Sequence, residues 1–382
     1  MPKLQYDYII IGAGAAGLML ADTMGKDPFF ANKSILLLDK DTKETNNRTW
    51  CFWEKGEGKF DAIVYKKWNH IFFAGKQFSR RYKIEPYTYK MVRGIDFYTS
   101  YLSLINNYPN ITFKHESVEQ IKEMDEEVQI HTSNGTYLGK QVLNSVFDYK
   151  MTTHQTKYPV LQQHFVGWVV KTKTPVFDAD QATYMDFSVP QKGNTRFIYT
   201  LPYSSDTALI EYTLFSKKVL PKQEYEDGIK KYLKDNLNCA DYTILETEQG
   251  SIPMTCYDFK EHHTNRIRYI GTAGGWAKPS TGYTFMSTSR KIPKLISFLK
   301  TGKPLRKLQF KNRFWFYDLL FLDVLHKKNE LGYQVFQNLF KRRNPQLIFK
   351  FLDEETSPME DINYIMGCPK IPFIRALFRR LF

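Results

Sequence analysis

The chain has 382 residues, 42% hydrophobic and 25% charged, enough for one large or two intimate domains around a well-packed core. Its formal net charge is +14; from Arg290 onward 19 Lys/Arg face 8 Asp/Glu, so +11 of the excess lies in the last quarter. No zinc-finger, RNP or helix-turn-helix pattern accompanies this charge, which excludes nucleic acid and leaves an anionic membrane surface or water, with interleaved aromatic and aliphatic residues favouring the membrane.

The first forty residues predict a βαβ unit. Tyr6 to Ile11 is a short apolar run, Gly12 to Gly17 a tight glycine turn, and Ala15 to Met24 an Ala/Leu/Met-rich helix. Ser34 to Leu38 is a second apolar run, closed by Asp39. Strands alternating with helices imply a parallel sheet. From about Asn69 to Thr112 polar and aromatic residues alternate with turn signals. Arg196–Thr200 and Thr207–Phe215, joined by residues 201–206, read as an antiparallel hairpin with a longer loop. Such a β-rich insert would form a substrate domain.

Arg266 to Ile270 is again a strand, followed by a second glycine-rich turn, Gly271 to Gly275. From about Phe285 the chain reads as mostly helical, with Phe314, Tyr317, Phe321 and Val324/Leu325 at helical spacing. The tail helix, Phe373 to Phe382, is two-faced. Phe373, Ile374, Leu377, Phe378 and Leu381 share one half of the wheel, and Arg375, Arg379 and Arg380 the other. It is either a membrane-surface helix or an amphipathic helix packed on the body. The aromatic content of 16% likewise fits an aromatic-rich core or a cavity for a large apolar ligand.

Cys51, Cys239, Cys256 and Cys368 show no metal-ligand or redox-pair spacing, so the chain reads as reduced, intracellular and metal-free. The N-terminus carries no leader pattern, and no run of 18 apolar residues spans a bilayer. The expected place is the cytoplasm, peripheral on the inner face of the cell membrane.

Gly12-Ala13-Gly14-Ala15-Ala16-Gly17 is a GxGxxG fingerprint after a strand and at the start of a helix. Gly12 permits the turn, Gly14 lets a pyrophosphate approach the backbone, and Gly17 lets helix and strand pack closely. Asp39, 22 residues after Gly17, is placed to accept from ribose hydroxyls. A fingerprint so near the N-terminus, followed by a long β-rich insert, resembles the flavoprotein family that includes aromatic hydroxylases and prenyl reductases. That resemblance implies FAD, with a second contact at Gly271, Gly274, Gly275, Thr281 and Gly282. Thr272 stands where many relatives carry Asp.

Several segments together resemble lycopene cyclases. They are Asn47 to Trp53 (NRTWCFW), Gln163 to Trp168 (QHFVGW), Met185-Asp186-Phe187, Phe197 to Pro202 (FIYTLP), Leu209 to Ser216 (LIEYTLFS) and Gly274 to Tyr283, where Lys278 stands in place of a common His. The likeness runs from residue 4 to roughly residue 300. It implies an α/β fold: a Rossmann-like FAD-binding domain of the glutathione-reductase/aromatic-hydroxylase type, a β-rich substrate domain and a helical C-terminal region. The expected boundaries are 1–68, 115–160 and 262–300 for the FAD domain, 69–114 and 161–261 for the substrate domain, and 301–382 for a basic, membrane-facing helical region.

The resemblance further implies cyclisation of lycopene through γ-carotene to β-carotene, without net redox change, on an enzyme whose FAD must be reduced, with NAD(P)H as electron source. A proton adds to the terminal double bond, the resulting cation is attacked by the neighbouring double bond, and loss of a ring proton completes the ring. Such a site needs an acid, negative charge near the cation and a dry pocket. Glu211 is the matched acid/base carboxylate and Asp186 a second candidate; the proton donor is either Glu211 or the reduced flavin. Arg48, Gly12, Gly14, Ala16, Gly17 and Asp39 are assigned to the cofactor. Trp50, Phe52, Trp53 and Tyr283 are assigned to substrate, with core packing the other reading of the first three. A flavin-dependent monooxygenase or prenyl reductase acting on another membrane lipid is the rival reading, and a non-catalytic carotenoid carrier a third. Ring type, the number of ends cyclised, the nicotinamide preference and the oligomeric state stay open.

Overall fold

The strand Leu4–Ile11 ends in Ile9, Ile10 and Ile11, all buried, and Ile35–Asp39 beside it is buried along Ile35 to Leu38. Strands apolar on both faces belong inside a parallel sheet. A computed structural model describes residues 4–381 and divides them into two compact units. Phe382, the last residue of the expected tail helix, lies outside the described residues.

The first unit comprises the residues up to Asn46, Gly94–Tyr158 and Cys256–Arg313. Its sheet runs, in order, Ile111–His115, Ile35–Asp39, Leu4–Ile11, Gly135–Asn144, Val128–Thr132 and Val118–Glu123, with Ile267–Tyr269 also paired to Gly135–Asn144. The pairings among the first four strands are parallel, as is that of Ile267–Tyr269; the last two strands add an antiparallel extension. The helix Ala15–Lys26 follows the first strand and buries Leu18, Met19, Leu20, Ala21 and Met24. It packs beside the helices Gly94–Ile105 and Phe285–Leu299.

The second unit comprises Asn47–Arg93, Pro159–Thr255 and the residues from Phe314 onward. Its large sheet runs Tyr242–Thr255, Val160–Thr172, Thr207–Ser216, Thr195–Pro202, Gln181–Asp186, His70–Ala74 and Ser79–Lys83. A small sheet orders Thr49–Lys55, Tyr87–Arg93 and Lys66–Trp68. The expected hairpin is present as Thr195–Pro202 and Thr207–Ser216, with Tyr199 opposite Glu211.

Alternation along these strands splits the large sheet into two faces. Trp168, Ile198, Ile210, Tyr212 and Leu214 point to the face covered by the helix Lys222–Asn236, against its Tyr225, Ile229, Tyr232 and Leu233. Phe197 and Phe215 occupy the other face, where Phe336 of the helix Gly332–Arg342 packs against Phe215.

Several boundaries differ from those expected, residues 256–261 among them, which join the first unit. Residues 47–68 join the second unit because Thr49–Lys55 pairs with Tyr87–Arg93. Residues 94–114 join the first because Ile111–His115 extends the parallel sheet beside Ile35–Asp39. The helical C-terminal region does not stand apart. Residues 301–313 go with the first unit and the remainder with the second, anchored by Phe340, which stacks on Phe73 at 4.2 Å.

The tail helix Lys370–Leu381 divides its apolar residues between two directions. Ala376 is buried, Phe373 and Leu377 are half-buried, and Arg380 forms a two-pronged ion pair of 2.7 Å contacts with Asp323 of the helix Phe314–Lys327. Ile371, Ile374, Phe378 and Leu381 are exposed, beside Arg375 and Arg379. The expected wheel thus holds for Arg375 and Arg379 but not for Arg380, which turns inward because Asp323 neutralises it. Among the described residues no helix is long and apolar enough to cross a membrane.

Candidate active site

In the first unit, Gly12 takes φ +93°, and a Cβ on Gly17 would lie 1.8 Å from the Gly12 carbonyl oxygen. Only glycine satisfies both demands, so the turn can be tight and the helix can start directly above it. A Cβ on Gly14, by contrast, would meet nothing within 4 Å. The helix that follows has no side-chain cap and no acidic residue in its first turn. Its first amides therefore offer donors and positive potential to an anion. Asp39 is tied to the turn: Oδ2 accepts from the Ala13 amide at 2.5 Å and pairs with Lys43 at 3.1 Å.

The second glycine-rich segment, Gly271 to Gly275, touches the first, because a Cβ on Gly271 would lie 2.8 Å from Ala16 Cβ. After it, the amides of Thr281 and Gly282 donate to the Lys278 carbonyl, and Tyr283 closes the loop by accepting from the Lys278 amide at 2.9 Å. Ser280 Oγ and Trp276 Nε1 are buried in this loop without a hydrogen-bond partner. Buried polar atoms are rarely left so. An open helix start, two glycine segments in contact and two orphaned polar atoms fit a dinucleotide carrying a polar ring.

In the second unit the centre of interest is a pair of glutamates. Gly167, on the strand Val160–Thr172, lies opposite Glu211 on one neighbouring strand and opposite Glu248 on the other. Directly opposed residues share a face, so both carboxylates rise on the same side of the sheet. A Cβ on Gly167 would sit 3.1 Å from Glu248 Cγ and 3.5 Å from Glu211 Cγ. The bare backbone between them lets the two side chains approach.

Thr213 donates to Glu211 Oε1 at 2.5 Å, and Thr49, from the small sheet, donates to Glu248 Oε2 at 2.8 Å. Both glutamates are half-buried by exposed area, yet lie deep enough among protein atoms for desolvation to dominate their acidity. Desolvation, then the charge of Glu248, holds Glu211 well above the usual carboxylate range. Desolvation also raises Glu248, opposed by the Thr49 hydroxyl and the Arg48 charge. Cys51 lies close enough to feel both carboxylates, and burial raises its thiol. Tyr203 is also raised by burial, then by Glu248.

The residues expected at the site separate. Glu211 lies at its centre. Arg48 joins it from the chain just before Thr49–Lys55, donating to the Gln249 carbonyl at 3.2 Å. Asp186 does not join it: it lies opposite Ile198, on the face of Tyr212 and away from Glu211. There it accepts from Tyr232 at 2.9 Å and from the Ser188 amide at 2.8 Å. Its role is to tie the sheet to the helix Lys222–Asn236. Asp186→Asn is expected to lower unfolding free energy by about 1–3 kcal/mol, read by urea denaturation, while leaving the pH dependence of turnover unmoved.

Trp53 is buried in the core, stacked on Phe349 at 4.5 Å, with Nε1 donating to Asp353 at 2.6 Å. Phe52 packs edge-on against Phe60. Trp50 and Phe52 alternate with Thr49 and Cys51 and so leave the opposite side of their strand from the glutamates. Sequence reasoning missed Glu248 and gave no individual role to Thr49, Thr213 and Gly167, which lie within the segments resembling the family. Only the strand register reveals Glu248, since nothing near it in the chain marks it out.

A family model described as "Lycopene cyclase protein" matches residues 7–378. A lycopene beta-cyclase of Pseudescherichia vulneris is 25% identical over 206 residues, covering 50% of this chain and 52% of that protein. The chain thus spans about half the length of that relative. Among solved structures, a geranylgeranyl bacteriochlorophyll reductase-like protein of Thermoplasma acidophilum superposes with a TM-score of 0.62 at 11% identity, covering 98% of this chain and 99% of the other. A mutant of the halogenase PltM, in complex with FAD, superposes with a TM-score of 0.56 at 12% identity, covering 91% and 79%. These likenesses show the α/β fold, with mixed sheets and a helical C-terminal region, to be one shared with a protein solved in complex with FAD.

Proposed function

The chain belongs to the lycopene cyclase family, and we propose that within it the chain closes β-ionone rings at the ψ ends of lycopene, through γ-carotene to β-carotene, without net redox change. The observation that carries this reading is Glu211. It meets Glu248 across Gly167, where burial and the neighbouring charge favour its neutral form, on the sheet segment that resembles the family's acid/base motif.

In this reading Glu211 donates its proton to the terminal double bond. The neighbouring double bond attacks the tertiary cation, and loss of a ring proton restores the proton count. Gly12, Gly14, Ala16, Gly17 and Asp39 would hold the pyrophosphate and ribose of FAD, and Gly271, Gly274, Gly275, Thr281 and Gly282 its ring. Bound in its reduced form, with NAD(P)H as electron source, FAD would supply negative charge of the kind that stabilises a cation. Arg48 then serves the carboxylate pair as much as any cofactor.

Co-expression in a cell that accumulates lycopene, with pigments separated by chromatography, tests the reading. Conversion to β-carotene supports it. Unchanged lycopene beside flavin-bearing protein would sink it and leave a redox flavoenzyme of another membrane lipid, which would consume NAD(P)H stoichiometrically.

A bilayer substrate calls for a peripheral docking surface, and we assign it to the two C-terminal helices Pro358–Ile365 and Lys370–Leu381. Met359 is 76% exposed, Ile371 65% and Leu381 63%, with Ile362, Ile365, Met366 and Ile374 also exposed. Lys370, Arg375 and Arg379 are exposed among them. Apolar side chains rimmed by cations suit an anionic bilayer. The double variant Ile371→Asp/Ile374→Asp is expected to weaken co-sedimentation with anionic vesicles roughly ten- to hundred-fold, from the lost apolar burial. Undiminished sedimentation would rule this surface out.

A further inference from the structure

Two carboxylates that meet across a glycine cannot both ionise cheaply, so one proton is shared between them. Which of them keeps it depends on what else each touches. Glu248 accepts from Thr49 at 2.8 Å and feels the Arg48 charge, both of which favour its ionised form. Glu211 has no cation among the influences on it; Thr213 donates to its Oε1, leaving the other oxygen to carry the proton.

We propose that Glu248 is a positioning residue, an anion pinned beside Glu211 that keeps the transferable proton on Glu211 at neutral pH. This rests on the reading of Glu211 as the proton donor and adds to it what holds the donor loaded. A carboxyl of ordinary acidity would stand empty at neutral pH. On transfer, the Glu211 O–H bond breaks and its electron pair stays on Glu211, while the π pair of the terminal double bond forms a C–H bond at its less substituted carbon. The tertiary cation left on the other carbon is captured by the π pair of the neighbouring double bond, which forms the ring C–C bond and passes the positive charge into the ring. A ring C–H bond then breaks, its electrons become the new ring double bond, and the proton returns to the carboxylate. Next to the Glu248 charge, Glu211 is the stronger base and recovers it. No oxidant or reductant enters.

The other ionisable groups around the pair come from four elements. Arg48 and Cys51 belong to the strand Thr49–Lys55 and the residue before it, and Tyr89, bonded to Cys51, to the strand Tyr87–Arg93. Tyr199 lies opposite Glu211, with Tyr203 just beyond the end of its strand. Glu246 shares the strand of Glu248, is exposed, and adds negative charge on the same side. Arg48 is the cation in this set, and it acts on Glu248.

Glu248→Gln keeps the size and the acceptor for Thr49 but removes the charge. The whole chain is followed in two ways across pH: ring formation from lycopene, and the infrared carbonyl band of a protonated carboxyl, assigned by its loss in Glu211→Gln. In Glu248→Gln, the alkaline limb of activity and the band's disappearance should both move to lower pH by about one unit or more. Glu248→Asp, which keeps the charge, should return both close to their wild-type positions. Thr49→Val is the second variant, should Glu248→Gln fold poorly. It should raise the acid-side titration of the pair and leave the alkaline side in place, because the lost bond stabilises Glu248 equally before and after Glu211 ionises. An unmoved infrared titration in Glu248→Gln, or an unmoved acid-side titration in Thr49→Val, overturns the proposal. If the protein forms no rings but the infrared shifts occur, the proton-holding pair stands and the assigned reaction alone falls.

Discussion

Glu211→Gln is expected to reduce ring formation by about 10²- to 10⁴-fold, the usual contribution of a positioned general acid. Gln preserves shape and can still accept from Thr213, so the fold should survive. The carboxyl is raised by burial and by Glu248, and the sign of its pH dependence follows. Its protonated form is the active one, so turnover persists at low and neutral pH and falls as pH rises through the elevated folded-state value. Stability moves the same way. A carboxyl whose folded value exceeds its unfolded value contributes stability that is complete below the unfolded value and lost as pH rises through the folded one. Glu211→Gln should remove that decline, so the thermal midpoint of the variant should fall less than that of the wild type between acid and mildly alkaline pH. A variant that still forms β-carotene at the wild-type rate would remove Glu211 from the chemistry.

Gly17→Val is expected to yield protein without flavin and to cost about 1–3 kcal/mol of stability. The obstacle is backbone: the new Cβ would lie 1.8 Å from the Gly12 carbonyl oxygen. The turn would have to move, and with it the bond from the Ala13 amide to Asp39. Gly14→Ala separates folding from binding. Its Cβ enters open space and its backbone is extended, so stability should hold, while a methyl at the mouth of the turn should hinder the pyrophosphate. Flavin absorbance of the purified variants, set beside their thermal midpoints, checks both. Full flavin content in Gly17→Val would contradict this account of the turn.

The two halves of the chain differ in how much their sequence discloses. The glycine fingerprint lies within one stretch of chain, and the strand before it, the helix after it and Asp39 all follow within forty residues. Local chemistry suffices there, because the turn's demands fall on its own residues. The hairpin holding Glu211 is equally local, its two strands separated by one loop. Asp186 misled for a related reason. Its segment matches the family pattern, but a side chain's face depends on which strand pairs with it and in which register, and the register sends it toward Tyr232. The tail helix shows the same limit: its wheel separated apolar from basic residues, but could not foresee that Asp323 would draw Arg380 inward.

What the sequence by itself determined is therefore the tight glycine turn between strand and helix, the order of elements around it and the acid candidate Glu211. What only the tertiary structure decided is the company Glu211 keeps. Glu248 meets it across Gly167 from a strand on the far side, and Thr49 and Arg48 reach Glu248 from a different sheet. Strand pairing has a side-chain period of two, so a shift of one residue would send Glu248 to the opposite face. That register is set by the packing of both faces of the sheet at once, which no single stretch of the chain contains.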